Sequence, residues 1–130
     1  MLRYIDKFPK IEVNPDGTLV TIRYCGYIRA ADLQPSLVDA ALSARVHPEF
    51  ILLVDLSTLE SMDRASVAVL AQIMDRINSY GVRTIIRVIP DPRKDPGFNI
   101  LSLFHYGRDT RIITCENLAE ALSLHELANT

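Results

Sequence analysis

A polar segment between residues 55 and 66 carries the side chains of this sequence that are best suited to binding or to phosphate chemistry. The candidate residues, which combine carboxylates, hydroxyls and one guanidinium, are Asp55, Ser57, Ser61, Asp63, Arg64 and Ser66. A phosphorylated hydroxyl brings close to two negative charges into an interface, and a guanidinium has forked donors that match a carboxylate or a phosphate. We therefore predict a partner-binding or regulatory site here, with Ser66 as the candidate for phosphorylation.

Each of these residues also has a purely structural interpretation. Asp63 is well placed to cap a helix by accepting the N–H of Ala65 or Ser66, and Ser66 can complete the same cap. Arg64 can be a solvated surface charge, and Asp55 can anchor a loop by hydrogen bonding. A metal or phosphate-relay role for Asp55 is disfavoured because such sites need several converging carboxylates, and no acidic pair precedes the helices.

Catalytic and metal chemistry have little support in the sequence. Nucleophilic catalysis needs a base within reach of a serine or a cysteine, but the histidines at positions 47, 105 and 125 lie outside the segments that carry Ser66 and Cys25. Cys25 and Cys115 are far apart and lack the paired spacing of a zinc site, so we expect two reduced, buried thiols. We predict no catalytic residue, no metal and no cofactor.

Length and composition favour one globular domain. The chain has 130 residues, of which 48% are hydrophobic, and its formal net charge is −2. We predict a single domain over residues 1–130, with its core over about residues 10–127. A nucleic-acid partner is disfavoured because no basic cluster is present. The first residues are too mixed for a signal peptide and no apolar run approaches the roughly 20 residues that span a bilayer, so we predict no membrane insertion and a cytoplasmic location.

The hydrophobic pattern alternates strands with helices. The predicted strands cover residues 11–13, 18–24, 50–54, 82–89 and 111–114, and the predicted helices begin near residues 32, 63, 98 and 116. The turn Asn14-Pro15-Asp16-Gly17 joins the first two strands into a hairpin. We expect Asp32 to cap the first helix and Gly81 to end the second. The order ββαβαβαβα predicts an α/β fold, with a mostly parallel mixed sheet of about five strands and four flanking helices.

Arg83 and Arg87 share one face of the fourth predicted strand, which indicates that this face is half covered. A half-covered sheet edge leaves room for self-association, so a homodimer is a candidate assembly. Together with Arg93 and Lys94 the two arginines could also form an anion-binding patch, although scattered solvated charges are the plainer interpretation.

The order of the elements and a few residues resemble a known family. A hairpin strand ends at Gly26, an apolar strand ends in Asp55-Leu56-Ser57, a helix starts at Asp63, and residues 117–122 read Asn-Leu-Ala-Glu-Ala-Leu. Over about residues 10–127 the sequence is similar to the STAS family of sulfate-transporter and anti-sigma-factor-antagonist domains, in its bacterial form. That resemblance implies a regulatory α/β domain.

In that family the second helix opens with Asp-Ser-Ser-Gly, and a partner anti-sigma kinase phosphorylates the serine after the aspartate. The unphosphorylated form binds the kinase and frees the sigma factor. The matching residues here are Asp63-Arg64-Ala65-Ser66, so Arg64 stands at the acceptor position and Ser66 stands where glycine is usual. The resemblance therefore implies a retained docking surface with a lost or shifted phosphoserine switch.

Two functions from different classes follow. The first is a non-catalytic regulatory domain whose partner is a protein, such as an anti-sigma kinase or a sensor protein. The alternative is a module of the same fold that binds a nucleotide or a lipid between the sheet and the helices, with the proline-rich residues 90–97 and the following helix as a lid. An enzyme ranks third, and we predict none.

Overall fold

The computed structural model describes residues 10–43, 45–89 and 110–128, with the side chains of the last helix described as far as residue 124. In chain order the strands and helices are β1 Lys10–Val13, β2 Leu19–Arg23, β3 Gly26–Ile28, α1 Pro35–Leu42, β4 Ile51–Asp55, β5 Leu59–Met62, α2 Ser66–Ser79, β6 Thr84–Val88, β7 Arg111–Cys115 and α3 Leu118–Ala128. The predicted third helix, the prolines before it and the cations Arg93 and Lys94 lie outside the described residues.

The main sheet has five strands in the order β1-β2-β4-β6-β7. β1 and β2 form an antiparallel hairpin, and the pairs β2–β4, β4–β6 and β6–β7 are parallel. The hairpin turn forms where the sequence predicts it, because Gly17 takes a φ of +75° and the side-chain oxygen of Asn14 accepts the N–H of Leu19 at 2.9 Å. The predicted α/β class and the mixed five-stranded sheet are therefore confirmed.

A second sheet of two parallel strands, β3 and β5, was not predicted. Gly26 was expected to end a strand and residues 57–62 to form a loop. Instead Tyr27 lies beside Ser61 and Ile28 beside Met62, with a register shift after Gly26. Strands of three and four residues are too short to show a clear alternation of apolar and polar side chains. In sequence, β5 of this small sheet connects β4 to the start of α2.

The helices cover opposite faces of the main sheet. One apolar cluster includes Val38 and Leu42 of α1 and the buried stripe of α2, packed on strand residues such as Ile85. The other cluster includes Ala121 of α3 and the adjacent strand residue Ile86. Neighbouring residues of a strand point to opposite faces, so both faces of β6 are buried. Within the described ranges, no helix is long and apolar enough to cross a membrane.

Asp32 does not cap α1, which corrects one prediction. The helix begins at Pro35, with Gln34 at its N-cap and no capping hydrogen bond from a side chain. Asp32 instead ends a short 3-10 turn, where its carboxylate accepts the N–H of Arg29 at 2.9 Å. The carboxylate of Asp32 binds the N–H of Arg29, three residues before it, and not an N–H of α1. Such local bonds from a side chain to the backbone are typical of aspartate in turns.

The positions of Arg83 and Arg87 correct a second prediction. β6 lies between β4 and β7, so it offers no free edge for self-association. Arg83 precedes the strand and is exposed, whereas Arg87 is 6% exposed and donates to the hydroxyl of Thr114 at 2.7 Å. The cysteines also differ from expectation, since Cys115 is buried but Cys25 is exposed.

Candidate functional site

The carboxylate of Asp55, the last residue of β4, is fully engaged by its own chain. Asp55 is 2% exposed. Its Oδ2 accepts a hydrogen bond from Nε of Arg23 at 3.0 Å, and its Oδ1 accepts the N–H of Ser57 at 3.0 Å. A buried carboxylate needs such partners, because leaving water without them costs several kcal/mol, to order of magnitude. Asp55 therefore fixes the turn after β4, in keeping with its interpretation as a loop anchor.

Asp63 joins two segments that are distant in sequence. Its Oδ1 accepts the N–H of Ser66 at 2.9 Å and the N–H of Ala30 at 3.2 Å. Its own N–H donates to the carbonyl of Ile28 at 3.0 Å. The predicted bond from the N–H of Ser66 to Asp63 is thus confirmed, but α2 begins at Ser66 with Ala65 at its N-cap, so Asp63 holds the turn that leads into the helix. Because the same oxygen also holds the turn after β3, the start of α2 is tied to the small sheet.

Ser66 lies at the first turn of α2 and has no exposed surface. Its hydroxyl donates to the carbonyl of Asp63 at 2.6 Å, and its N–H is bound by the Asp63 carboxylate. A kinase must reach a serine hydroxyl from solvent, so phosphorylation here would require the start of α2 to open. The geometry favours the capping interpretation of Ser66 over its predicted phosphorylation.

The remaining candidate residues point outward and are joined by two that the sequence analysis missed. Ser57, Ser61 and Arg64 are exposed. Tyr27 is 49% exposed and Val67 is 38% exposed. We call these five residues the exposed set, and Asp55, Asp63 and Ser66 the anchoring set.

Tyr27 and Val67 were missed for different reasons. Tyr27 belongs to β3, which was not predicted, and it lies beside Ser61 of β5. Val67 lies three residues before Leu70 and seven before Met74, at the margin of the buried stripe by which α2 was identified, so helical spacing gave no signal of its exposure.

Arg64 provides the positive charge of this surface. It lies between Asp63 and the first turn of α2 and is exposed. Within the described ranges, ion pairs join Arg23 to Asp55, Arg29 to Asp32 and Arg76 to Asp39. Arg64 is in none of these pairs. Its guanidinium is therefore left to solvent, with its planar fork of donors accessible.

The described part of the chain gives no support to a metal or to a small ligand. It contains no cluster of three or more His, Cys, Asp or Glu side chains that could hold a metal ion. A cavity between the sheet and α2, bordered by Tyr24 and Arg87, has a volume of about 10 Å³, and a groove beside α1 is of the same size. Such a volume holds about one water molecule. Burial raises the pKa of Tyr24 well above its usual range, so its phenol stays protonated.

Comparison with known proteins identifies the fold through similar solved structures. Neither a protein-family model nor a curated protein sequence matches the chain. The chain is similar to the crystal structure of an uncharacterised protein from the DUF3478 family with a SpoIIAA-like fold, from Shewanella loihica PV-4. The two are 14% identical with a TM-score of 0.64, and the match covers 89% of this chain and 90% of that one.

The chain is also similar to the anti-sigma factor antagonist SpoIIAA in its unphosphorylated form. That pair is 15% identical with a TM-score of 0.54, and the match covers 94% of this chain and 99% of SpoIIAA. Likeness at such identities shows the fold. The chain has a STAS-like, SpoIIAA-like fold, as the resemblance of its sequence implies.

Proposed function

We propose that this chain is a regulatory protein-binding domain that docks its partner through the exposed set: Tyr27, Ser57, Ser61, Arg64 and Val67. The observation that carries the proposal is the division of the polar segment into two sets. The side-chain oxygens of the anchoring set form hydrogen bonds with the backbone of their own chain. The exposed set presents apolar, hydroxyl and cationic groups to solvent. A rigid frame with a mixed outer surface suits recognition of another protein.

The chemistry of the exposed set defines the kind of partner that it fits. Tyrosine and arginine are enriched among residues that dominate binding energy at protein interfaces. Tyr27 and Val67 offer apolar area, and Arg64 offers a charge for a carboxylate or a phosphate on the partner. The STAS-like fold supports an anti-sigma kinase or a sensor protein as that partner, because SpoIIAA is an anti-sigma factor antagonist.

We propose further that this interface is not switched through Ser66, since that hydroxyl is buried and bonded. Arg64 occupies the position that the resemblance gives to the phospho-acceptor, so the residue there is already charged and cannot be phosphorylated. A shifted switch would fall on an exposed hydroxyl of the segment, Ser57 or Ser61. A phosphate on either residue would repel an acidic partner that Arg64 attracts.

The other parts of the proposed function stay predictions. They are the absence of catalysis and of a cofactor, the absence of a nucleic-acid partner, and a cytoplasmic location. The alternative of a nucleotide- or lipid-binding module has no supporting observation among the described residues, because the cavities there hold about one water each.

Variants of the exposed set test the proposal. The tagged full chain is cross-linked in its native host, and the captured proteins are quantified by mass spectrometry. We expect Tyr27→Ser and Arg64→Glu each to reduce capture of the main partner by about tenfold or more, as interface hot spots do. Leu122→Ser is the matched control, because Leu122 is 42% exposed but lies on α3, on the opposite face of the sheet. Equal capture by all three variants and the wild type would contradict the proposal.

A further inference from the structure

Among the described strands, β1 forms an edge of the main sheet with backbone groups that no other described strand pairs. β1 is the terminal strand, and within the described ranges it pairs with β2 alone. The N–H of Asn14 donates to the carbonyl of Leu19, so residue 14 faces β2. Backbone groups alternate in direction along an antiparallel strand, so residues 10 and 12 also face β2. The N–H and C=O groups of Ile11 and Val13 therefore point away from the sheet, toward the open edge.

β1 carries two side chains of opposite charge. Lys10 and Glu12 share one face of the strand, and both are exposed. Lys10 lies directly opposite Arg23 of β2, a like-charge pair that is unfavourable. Glu12 lies opposite Thr21, which cannot neutralise it. A strand placed at the open edge could satisfy both charges if it carried the opposite charges in the opposite order.

An exposed leucine borders the same edge on the other face of the sheet. On α1, Asp39 binds Arg76 and Tyr80 of α2, so the Asp39 side of the helix faces α2. Leu37 lies about 200° around the helix from Asp39, since successive residues turn by about 100°. Leu37 therefore lies on the side of α1 opposite Asp39, and it lines a groove together with Ile11 of β1 and Ile73 of α2. It is 42% exposed, which leaves apolar surface above the edge of β1.

We propose that the open edge of β1 binds a second copy of this chain, in a two-fold dimer with Ile11 opposite Ile11. This register pairs the outward N–H and C=O groups of the two Ile11 residues with each other. It also places Lys10 of each copy opposite Glu12 of the other, which gives two reciprocal ion pairs. Centring the axis on Glu12 would set two carboxylates face to face, so the charges select the first register.

The two-fold symmetry of the proposed dimer would also cover the exposed apolar surface of Leu37. A two-fold axis that joins antiparallel strands into one sheet is perpendicular to that sheet, so both α1 helices lie on the same face. The two Leu37 side chains then approach each other over the seam. A dimer interface of this type is isologous, in that each copy uses the same patch. The proposed dimer uses the β1 edge and not the exposed set, so it is independent of the docking proposal.

Sedimentation equilibrium of the full chain tests the dimer through a charge swap. We expect the wild type to dimerise with rising concentration. Glu12→Lys and Lys10→Glu each convert two attractive pairs into two repulsive ones, and should weaken the dimer by about tenfold or more. Mixing the two variants in equal amounts should restore a dimer that contains one copy of each. The double variant Lys10→Glu with Glu12→Lys should dimerise as the wild type does.

Circular dichroism and thermal melting of the same variants check that each one folds. Lys10→Glu should fold well, because it places a carboxylate opposite Arg23. A wild type that stays monomeric at all concentrations would overturn the proposal, and slow amide exchange at Ile11 in that monomer would mean that its own chain covers the edge. A dimer that neither single substitution weakens would also overturn it.

Discussion

The two ends of the main sheet differ in how much room they leave around their turns. At the carboxyl end, where the exposed set lies, side chains hold the backbone: Asp55 binds the N–H of Ser57, and Asp63 binds the N–H groups of Ser66 and Ala30. At the amino end, the Asn14 side chain likewise holds the N–H of Leu19, and backbone–backbone hydrogen bonds join the turns. There His47 donates its N–H to the carbonyl of Gly17 at 3.0 Å.

The same pattern continues across the amino end. The N–H of Glu49 donates to the carbonyl of Gly81 at 2.7 Å. Gly17, Gly81 and Glu49 all have positive φ angles, of +75°, +89° and +67°. Among these turns the backbone of Gly17 leaves no room for an added side chain, whereas a Cβ on Gly81 would make ordinary contacts with Pro48 and Glu49 at 3.5 Å or more. The comparison teaches that the amino end is closely packed around Gly17, whereas the carboxyl end leaves room around Gly26, whose φ is also positive.

The largest expected effect is that of Gly17→Ala at the amino end. A Cβ on Gly17 would lie 2.3 Å from the carbonyl oxygen of Arg45, and a positive φ disfavours any residue with a Cβ. We expect the free energy of unfolding, measured by urea denaturation, to fall by about 2–4 kcal/mol from strain and steric overlap together.

Gly26→Ala is the matched control for this substitution. Gly26 has a similar φ of +67°, but the nearest atom to an added Cβ is a carboxylate oxygen of Glu60 at 3.9 Å. The control should therefore show the cost of backbone strain alone, on the order of 1–2 kcal/mol. Equal losses for the two variants would show that close packing at the amino end contributes little, and would break the comparison.

A smaller effect is expected from Asp63→Ala at the carboxyl end. The substitution removes the acceptor for the N–H groups of Ser66 and Ala30. Loss of a helix cap costs about 0.5–2 kcal/mol, so the loss in urea denaturation should be less than that of Gly17→Ala. Asp63→Asn keeps a side-chain oxygen that can accept, and should retain most of the stability. A larger loss for Asp63→Ala than for Gly17→Ala would reverse the ranking of the two ends.

Much of the fold could be predicted because its signals are local. The apolar run that forms β4 is buried along its whole length, as a strand covered on both faces should be. The bond from the N–H of Ser66 to Asp63 and the stop at Gly81 follow from intrinsic preferences of these residue types. The β3–β5 sheet could not be predicted in this way, because its strands are defined by pairing between segments more than 30 residues apart.

The site was predicted in part for the same reason. Sequence pattern located the segment from Asp55 to Ser66, but it could not separate the anchoring set from the exposed set. That separation depends on which hydrogen-bond partner each side chain finds in the folded chain. Ser66 is an example, because its hydroxyl donates to the carbonyl of the residue three positions before it. Likewise Asp32 has the chemistry of a helix cap, yet it serves a turn that begins nearer to it. Residue type predicts what a side chain can bind, and tertiary contacts decide what it does bind.

The smallest expected effect concerns pH and Asp16, a carboxylate at the amino end that holds a turn. Hydrogen bonds from the hydroxyl and the N–H of Thr18 lower the pKa of Asp16 below its ordinary value of 3.8. A carboxyl group with a lowered pKa in the folded state stabilises the protein above its unfolded pKa, and that stability is lost as pH falls through the folded pKa.

Asp16→Asn should therefore lose less stability than the wild type between pH 5 and the acid limit of folding, as measured by urea denaturation at a series of pH values. Because Asp16 is exposed, the difference should be slight and should shrink with added salt. A difference as large as that of Gly17→Ala would mean that the Asp16 side chain stabilises the amino end as much as the close packing of Gly17 does.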